Sequence, residues 1–417
     1  MNVREIAYKY LCGVMLEKQY ASLSMRNDQY DLNSQDQALL TQIVYGTLRN
    51  YLYVRYNWQK YVSKLPDEKT CVLLDMSTYQ LLWLDKVADY AVIDEAVKIV
   101  RKNRKGSYAA LVNAVLRKVQ ANGLQKPEDD SLDSISILTS TPLWIIKMWN
   151  AHYGRENAEK IAFENLNPSE VTLRVNTLKT NAEEVIESDE QFVRCSEPNS
   201  LRYEGNVFSS SAFKNDLVMV QSLSSQKVAG NLAVKKGERV LDMCAAPGTK
   251  TVQMAMDSSD QADIYSIDLY PSRVELINKS LNRYGIKCVK TRAYDATKLD
   301  EVFEKESFDK ILLDAPCSGL GTLKHKPEIK MNLKPEDIDD IVYLQKQLLE
   351  TAALLLKNGG KLVYSTCTLN RKENDRQIKA FLKEHEEFSL EKEEVIFPFD
   401  EGSDGFYIAM LEKNMLE

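Results

Sequence analysis

Histidine is nearly missing from this chain, with three residues in 417, and the seven cysteines (12, 71, 195, 244, 288, 317 and 367) never fall into a Cys-x-x-Cys spacing. These two absences exclude the common zinc frameworks and the thiol–disulfide enzymes, so no metal is expected. An odd, scattered set of cysteines reads as reduced thiols, which makes the cytoplasm the expected compartment. No apolar run is long enough to span a membrane, and the opening Met-Asn-Val-Arg-Glu-Ile-Ala lacks the basic start and apolar core of an export signal. With 44% hydrophobic and 28% charged residues, the composition is that of a folded protein of two or three domains.

Positive charge is not in excess either, since the formal net charge is −7. It is unevenly placed. Residues 381–417 hold eleven acidic and three basic side chains, a net −8, which leaves the first 380 residues near +1. Within that remainder Lys98, Arg101, Lys102, Arg104 and Lys105 form a dense cluster, with Arg117 and Lys118 close behind. The cluster reads either as a solvated helix end or as a contact for the RNA backbone.

Apolar periodicity makes residues 1–125 all helical, with Ile6, Ala7, Tyr10, Leu11 and Val14 on one face and Leu40, Ile43, Val44 and Leu48 on another. Gln120 to Ser134 is a polar linker. Thr141-Pro142 then reads as an N-cap followed by proline at the first helical position, and Gly154 as the helix stop. Val171–Asn176 alternates as a strand. From about Asn231 strands and helices alternate as in a doubly wound α/β sheet, with strands expected at 239–243, 263–268, 289–293, 308–313, 361–365 and 406–411.

Within that region Val240-Leu-Asp-Met-Cys-Ala-Ala-Pro-Gly-Thr-Lys250 packs a buried strand, a Pro-Gly turn and a helix start into eleven residues. Ligands of doubly wound sheets bind at such strand ends, and an acidic residue about 20 positions on, here Asp268, takes ribose hydroxyls. Gly248 would leave room for a ligand on the backbone. The strands end in Asp242, Asp268, Asp295, Asp314 and Thr366-Cys367, and Cys317 follows Asp314 closely. Asp295, ahead of Ala296-Thr297, reads equally well as a helix cap.

These strings resemble the motifs of S-adenosylmethionine-dependent RNA cytosine-C5 methyltransferases. That family's cofactor motif usually reads Asp-x-Cys-Ala-Ala-Pro-Gly-Gly-Lys-Thr, with Thr249 here in place of the second glycine. Its paired Pro-Cys and Thr-Cys motifs are present at Pro316-Cys317 and Thr366-Cys367, as is Asp404-Gly405-Phe406. Separately, Asp36–Arg49 and Leu111–Arg117 resemble the NusB-like domain, which binds RNA and proteins in transcription antitermination, and the likeness covers nearly all of the first 120 residues. The resemblances imply a NusB-like RNA-binding domain at 1–125, with protein binding by that domain an alternative left open, and a small α/β RNA-binding subdomain at 135–220. Residues 221–417 would be a Rossmann-like class I methyltransferase domain.

By the same resemblance S-adenosyl-L-methionine would lie in the loop Cys244, Ala245, Ala246, Pro247, Gly248, Thr249 and Lys250, with Asp268 at the ribose and Asp295 on the adenine side. Asp314 would adjoin both the cofactor and the base. Cytosine C5 is a poor nucleophile until a thiolate adds at C6, so Cys367 is the expected nucleophile, Cys317 the group that assists its expulsion, and Asp314 the partner of N3. Lys324 and Lys326 would hold RNA phosphates. Domain order makes small-subunit ribosomal RNA the expected substrate, with transfer RNA the second reading. A non-catalytic antitermination factor would have lost these motif residues, and a small-molecule methyltransferase would not need over 200 residues ahead of its cofactor loop.

Overall fold

The computed structural model describes residues 2–21, 25, 30–102, 106–167, 170–400 and 403–415. Arg104 and Lys105 of the basic cluster lie outside these residues. The chain divides into two compact units, Met1–Pro168 with Leu323–Leu333, and Ser169–Thr322 with Lys334–Glu417. Among the described residues no helix is long and apolar enough to cross a membrane, and all seven cysteines are free thiols.

The first unit contains helices α1 (Val3–Glu17), α2 (Ser34–Arg49), α3 (Tyr51–Gln59), α4 (Glu68–Trp83), α5 (Asp89–Lys102), α6 (Ala109–Asn122), α7 (Leu132–Thr139), α8 (Leu143–Tyr153) and α9 (Arg155–Glu164). Side chains of Asn2, Asn33, Asp67 and Ser131 cap α1, α2, α4 and α7, taking up amides that a helix start leaves unpaired. Helix α4 has no polar face, since Thr70 to Gln80 are all buried, and α1, α2, α3, α5 and α6 pack around it. Its buried Asp75 is tolerable because Arg55 Nη2 (2.5 Å) and Trp58 Nε1 (2.7 Å) both donate to it. Thr141 is not a cap: its hydroxyl donates to the Thr139 carbonyl at 3.3 Å, and Pro142 occupies the cap position. Gly154 ends α8 as expected, at φ +79°.

Leu323–Leu333 belongs to this helical unit although it follows the fourth strand of the methyltransferase-like sequence. Lys330 is buried there and donates to the last carbonyls of α2 (Arg49, 2.9 Å) and α7 (Thr139, 3.3 Å), where partial negative charge gathers. Burial pushes its ammonium down to about 7. Lys324 is buried as well and ion-paired to Glu164 at 2.7 Å, which corrects the expectation that it meets RNA phosphates; Lys326 is exposed. In the basic cluster Lys98 pairs with Asp94 and Glu95 and Lys102 with Glu5, leaving a largely solvated end to α5.

The second unit opens with a small antiparallel sheet in the order β2-β3-β1-β4, from β1 (Thr172–Val175), β2 (Phe192–Arg194), β3 (Ser200–Tyr203) and β4 (Val218–Val220), with α10 (Ala182–Ser188) covering it. Arg174 and Asn176 serve this fold: Arg174 is buried against Asp257 and Asn176 donates to the Asp216 carbonyl at 3.1 Å. After α11 (Leu223–Leu232) come β5 (Arg239–Asp242), α12 (Thr249–Asp257), β6 (Asp263–Asp268), α13 (Pro271–Tyr284), β7 (Val289–Ala293) and β8 (Phe308–Asp314). Then follow α14 (Asp337–Leu355), β9 (Leu356–Thr366), α15 (Asp375–Glu384), β10 (Phe388–Ile396) and β11 (Phe406–Lys413).

The large sheet runs β10-β11-β9-β8-β5-β6-β7, parallel from β5 to β9, with β11 antiparallel to both β9 and β10. Successive strand residues face opposite layers. Leu241, Leu313 and Tyr364 pack under Leu348 and Ala352 of α14, whereas Val240, Leu312 and Val363 pack with Val252 of α12 and Ile277 of α13. Burial on both faces is what a strand run with little polar alternation requires. The acidic tail turns out to contain β10, an edge strand whose middle residues, Ser389 to Glu393, are exposed and mostly charged; charge along an edge discourages pairing with other chains.

Candidate active site at the carboxyl rim of the large sheet

Parallel pairing brings the ends of β5, β6, β8 and β9 to one rim. At β5, Asp242 is buried, with Oδ2 accepting from Thr251 (2.7 Å), which also meets Ser266 (3.1 Å), and Oδ1 without a hydrogen bond. Burial, helped by the nearby Asp314 charge, pushes its carboxyl up to about 7. The loop from Cys244 to Lys250 then turns back on itself. Ala245 and Gly248 use their amides inside the backbone, and Ala246 donates to Asp268 Oδ2 at 3.1 Å. Two of those amides are therefore committed to the end of β6 and one to the turn itself. Gly248 caps α12 at φ +99°, and a Cβ there would stand 3.1 Å from Ile277 Cα, so its glycine is required by backbone and helix packing more than by clearance for a ligand. Burial pushes the Cys244 thiol up.

Asp268 ends β6 and is buried, yet Oδ1 makes no hydrogen bond; Arg273 Nε lies 3.3 Å from it without the alignment for one. A buried acceptor left open at a strand tip fits a hydroxyl donor such as a cofactor ribose. Asp295 is engaged locally, with Oδ1 taking the Thr297 amide (3.0 Å) and hydroxyl (2.7 Å) as cap of the short turn 296–301. Lys250 reaches across to Asp314 Oδ2 at 2.7 Å, and Ser365 donates to Asp314 Oδ1 at 2.6 Å. Burial disfavours the Lys250 charge, but the Asp314 carboxylate more than offsets it and raises the ammonium above its ordinary range.

Beyond Asp314 and Thr366 the chain places Cys317 Sγ 3.3 Å from Cys367 Sγ, 50 residues apart in sequence. Hydrogen bonding to Cys367, and then burial, push the Cys317 thiol well above its ordinary range. Gly321 donates to the Cys367 carbonyl (3.0 Å) and Gly405 to the Gly321 carbonyl (2.8 Å). The Asp404-Gly405-Phe406 string thus acts as a backing: a Cβ on Gly321 would sit 1.8 Å from the Gly405 oxygen. Sequence reading missed Glu373, which lies in the polar run Asn370-Arg-Lys-Glu-Asn-Asp375 and is nonetheless fully buried behind both cysteine loops. Nothing in that composition distinguishes it from a solvated loop carboxylate.

A family profile for the 16S rRNA methyltransferase RsmB/F matches residues 229–412, one for the NusB family matches residues 1–121, and one for the RsmF/B-like ferredoxin-like domain matches residues 141–190. The chain is 36% identical over 441 residues to the probable ribosomal RNA small subunit methyltransferase B of Bacillus subtilis, covering 99% of each. The crystal structure of PH0851 superposes with a TM-score of 0.83 at 29% identity, over 99% of this chain and 98% of that one. NSun6 from Pyrococcus horikoshii, solved with SFG, shares the fold at a TM-score of 0.61 and 23% identity, over 66% of this chain and 99% of that one. Rim geometry, domain order and these relatives converge: the chain belongs to the ribosomal RNA small subunit methyltransferase B/F family, which are S-adenosylmethionine-dependent RNA methyltransferases.

Proposed function

We propose that the enzyme methylates C5 of a cytosine in 16S ribosomal RNA through a covalent bond between Cys367 and C6. The observation that carries this reading is the pair of free thiols 3.3 Å apart at the ends of adjacent strands, next to the Lys250–Asp314 pair. S-adenosylmethionine supplies the electrophilic methyl group. The residues suited to hold it are the 244–250 loop and Asp268, whose open Oδ1 takes a ribose hydroxyl; Asp295 remains the candidate for the adenine side through Oδ2.

Cys367 adds to C6, which turns the ring into an enamine whose C5 can accept the methyl group. The Lys250 ammonium lies within electrostatic reach of Cys367, while the Cys317 thiol, pushed up by its hydrogen bond to Cys367 and by burial, stays protonated as Cys367 attacks. Asp314, held by Lys250 and Ser365, is the candidate to meet N3, and a proton carried on its carboxyl as the base binds would pass to N3 while Cys367 adds, neutralising the charge that develops there. After transfer Cys317, once it has given its own proton to solvent, takes the proton from C5. The C5–H electron pair restores the 5,6 double bond, the Cys367–C6 bond breaks with its electron pair returning to the Cys367 sulfur, and N3 gives its proton back to Asp314. The base must be unstacked to enter the rim.

Separate substitutions of the two cysteines test the reading. Cys367→Ala is expected to give neither product nor a covalent protein–RNA species. Cys317→Ala should still attack and methylate but fail to release, so a slower band that depends on the target cytosine accumulates on a denaturing gel. Reversed phenotypes would make Cys317 the nucleophile, and two active variants would end the covalent reading. Bisulfite sequencing of RNA from a deletion strain locates the cytosine.

A further inference from the structure

Both cysteines sit past the last ladder pair of their strands, Asp314 with Ser365, so the regular sheet does not by itself fix the distance between them. One buried carboxylate does much of that work. Glu373 accepts from the Ser318 amide (2.8 Å) and hydroxyl (2.6 Å), from Asn370 Nδ2 (2.9 Å) and from Gln345 Nε2 (3.3 Å). Ser318 follows Cys317 directly and its hydroxyl also meets Thr368 Oγ1 at 2.7 Å, one residue past Cys367. Gln345, on α14, donates in addition to the Pro316 carbonyl at 2.9 Å, so the Cys317 turn is gripped on both sides. The Glu373 carbonyl takes the Tyr364 hydroxyl at 2.7 Å, which ties the brace to β9 itself.

Four donors converging on two oxygens require a carboxylate. Glutamine has the same shape but offers one acceptor oxygen and an NH2 group, which would face donors. Satisfied networks of this kind rigidify a site beyond the sum of their pairs.

We propose that Glu373 is a positioning residue of the two-thiol site, holding the turn that carries Cys317 in register with the loop that carries Cys367 so that the second thiol reaches the ring in the release step. This rests on the covalent reading above, and the test separates the two. In the RNA-free protein, closure of the Cys317–Cys367 disulfide by diamide, which removes two electrons and both thiol protons, reports the approach of the sulfurs independently of catalysis. Glu373→Gln should slow closure roughly tenfold or more and lower kcat for 16S RNA by a similar factor with KM unchanged. It should accumulate the covalent band, as Cys317→Ala does, while the thermal shift given by S-adenosylmethionine is kept. Ser318→Ala, which removes one donor and the Thr368 link, should move the same readouts less, and it carries the test if Glu373→Gln fails to fold.

Wild-type closure and turnover in the variants would overturn the positioning role even if Cys317→Ala forms its adduct. Slowed closure without an adduct in any variant would leave Glu373 as the brace and sink the covalent reading instead.

Discussion

Asp268 and Glu373 are both buried carboxylates at the rim of one sheet, and they are completed differently. Glu373 receives four donors from three neighbouring side chains and one amide. Asp268 receives one amide and keeps its other oxygen without a hydrogen bond. A buried acceptor left open costs about 1–3 kcal/mol, so a fold that carries one gains by having a ligand complete it. The contrast divides the rim into a half that keeps an acceptor without a hydrogen bond and a half already braced, with the thiol pair on the braced side.

The largest effect should come from breaking the brace at its tightest point. Gly321→Ala puts a methyl group 1.8 Å from the Gly405 carbonyl oxygen, backbone that cannot swing away. A loss of about 3 kcal/mol in denaturant unfolding, with no turnover, is expected; a midpoint equal to wild type would show that the two loops are not held against each other.

On the open side the expectation is the reverse, function lost with stability kept. Asp268→Ala should weaken S-adenosylmethionine about 100-fold, or about 2.7 kcal/mol by calorimetry, and change unliganded stability by less than about 1 kcal/mol. An undiminished thermal shift would move the pocket elsewhere.

Asp242 sharpens the comparison through pH. Burial lifts its carboxyl from 3.8 to about 7, so the folded chain keeps a proton that the unfolded chain releases in that window. Its stabilising contribution is complete below about pH 4, falls as pH rises and is gone above about 7, with a slope of at most about 1.4 kcal/mol per pH unit. Asp242→Asn should remove that slope, measured as the difference between wild-type and variant unfolding free energies from pH 4 to 7; parallel profiles would contradict it.

The smallest effect lies outside both halves. Replacing Arg101 and Lys102 by Gln should weaken RNA binding only severalfold and flatten its logarithmic salt dependence by less than about 2. Lys102 already pairs with Glu5, so an unchanged slope would make this helix end a solvated face and nothing more.

Much of this could be read from the chain alone. The expected strands at 263–268 and 289–293 coincide with β6 and β7, and those beginning at 239, 308 and 406 differ only in where they stop. Strand β10 was hidden because Glu391-Lys-Glu-Glu394 reads as an acidic tail, whereas an edge strand needs partners on one side only and exposes most of its middle residues. Arg174 lies in an alternating run that says nothing of where its charge goes; its burial against Asp257 assigns it to the fold.

What the sequence determined by itself were features with short range: apolar periods, the Pro-Gly turn after β5, polar residues closing successive strands, and two cysteines each placed just past a strand. These follow from backbone geometry over a few residues and need no partner to be recognised. Only the tertiary structure decided which side chains meet. It brought two sulfurs 50 residues apart to 3.3 Å, buried Glu373 between their loops, and carried Leu323–Leu333 into the helical unit, where Lys324 is lost to Glu164. Burial and pairing are properties of the packed whole, and the same glutamate or lysine in an unfolded chain carries no mark of either.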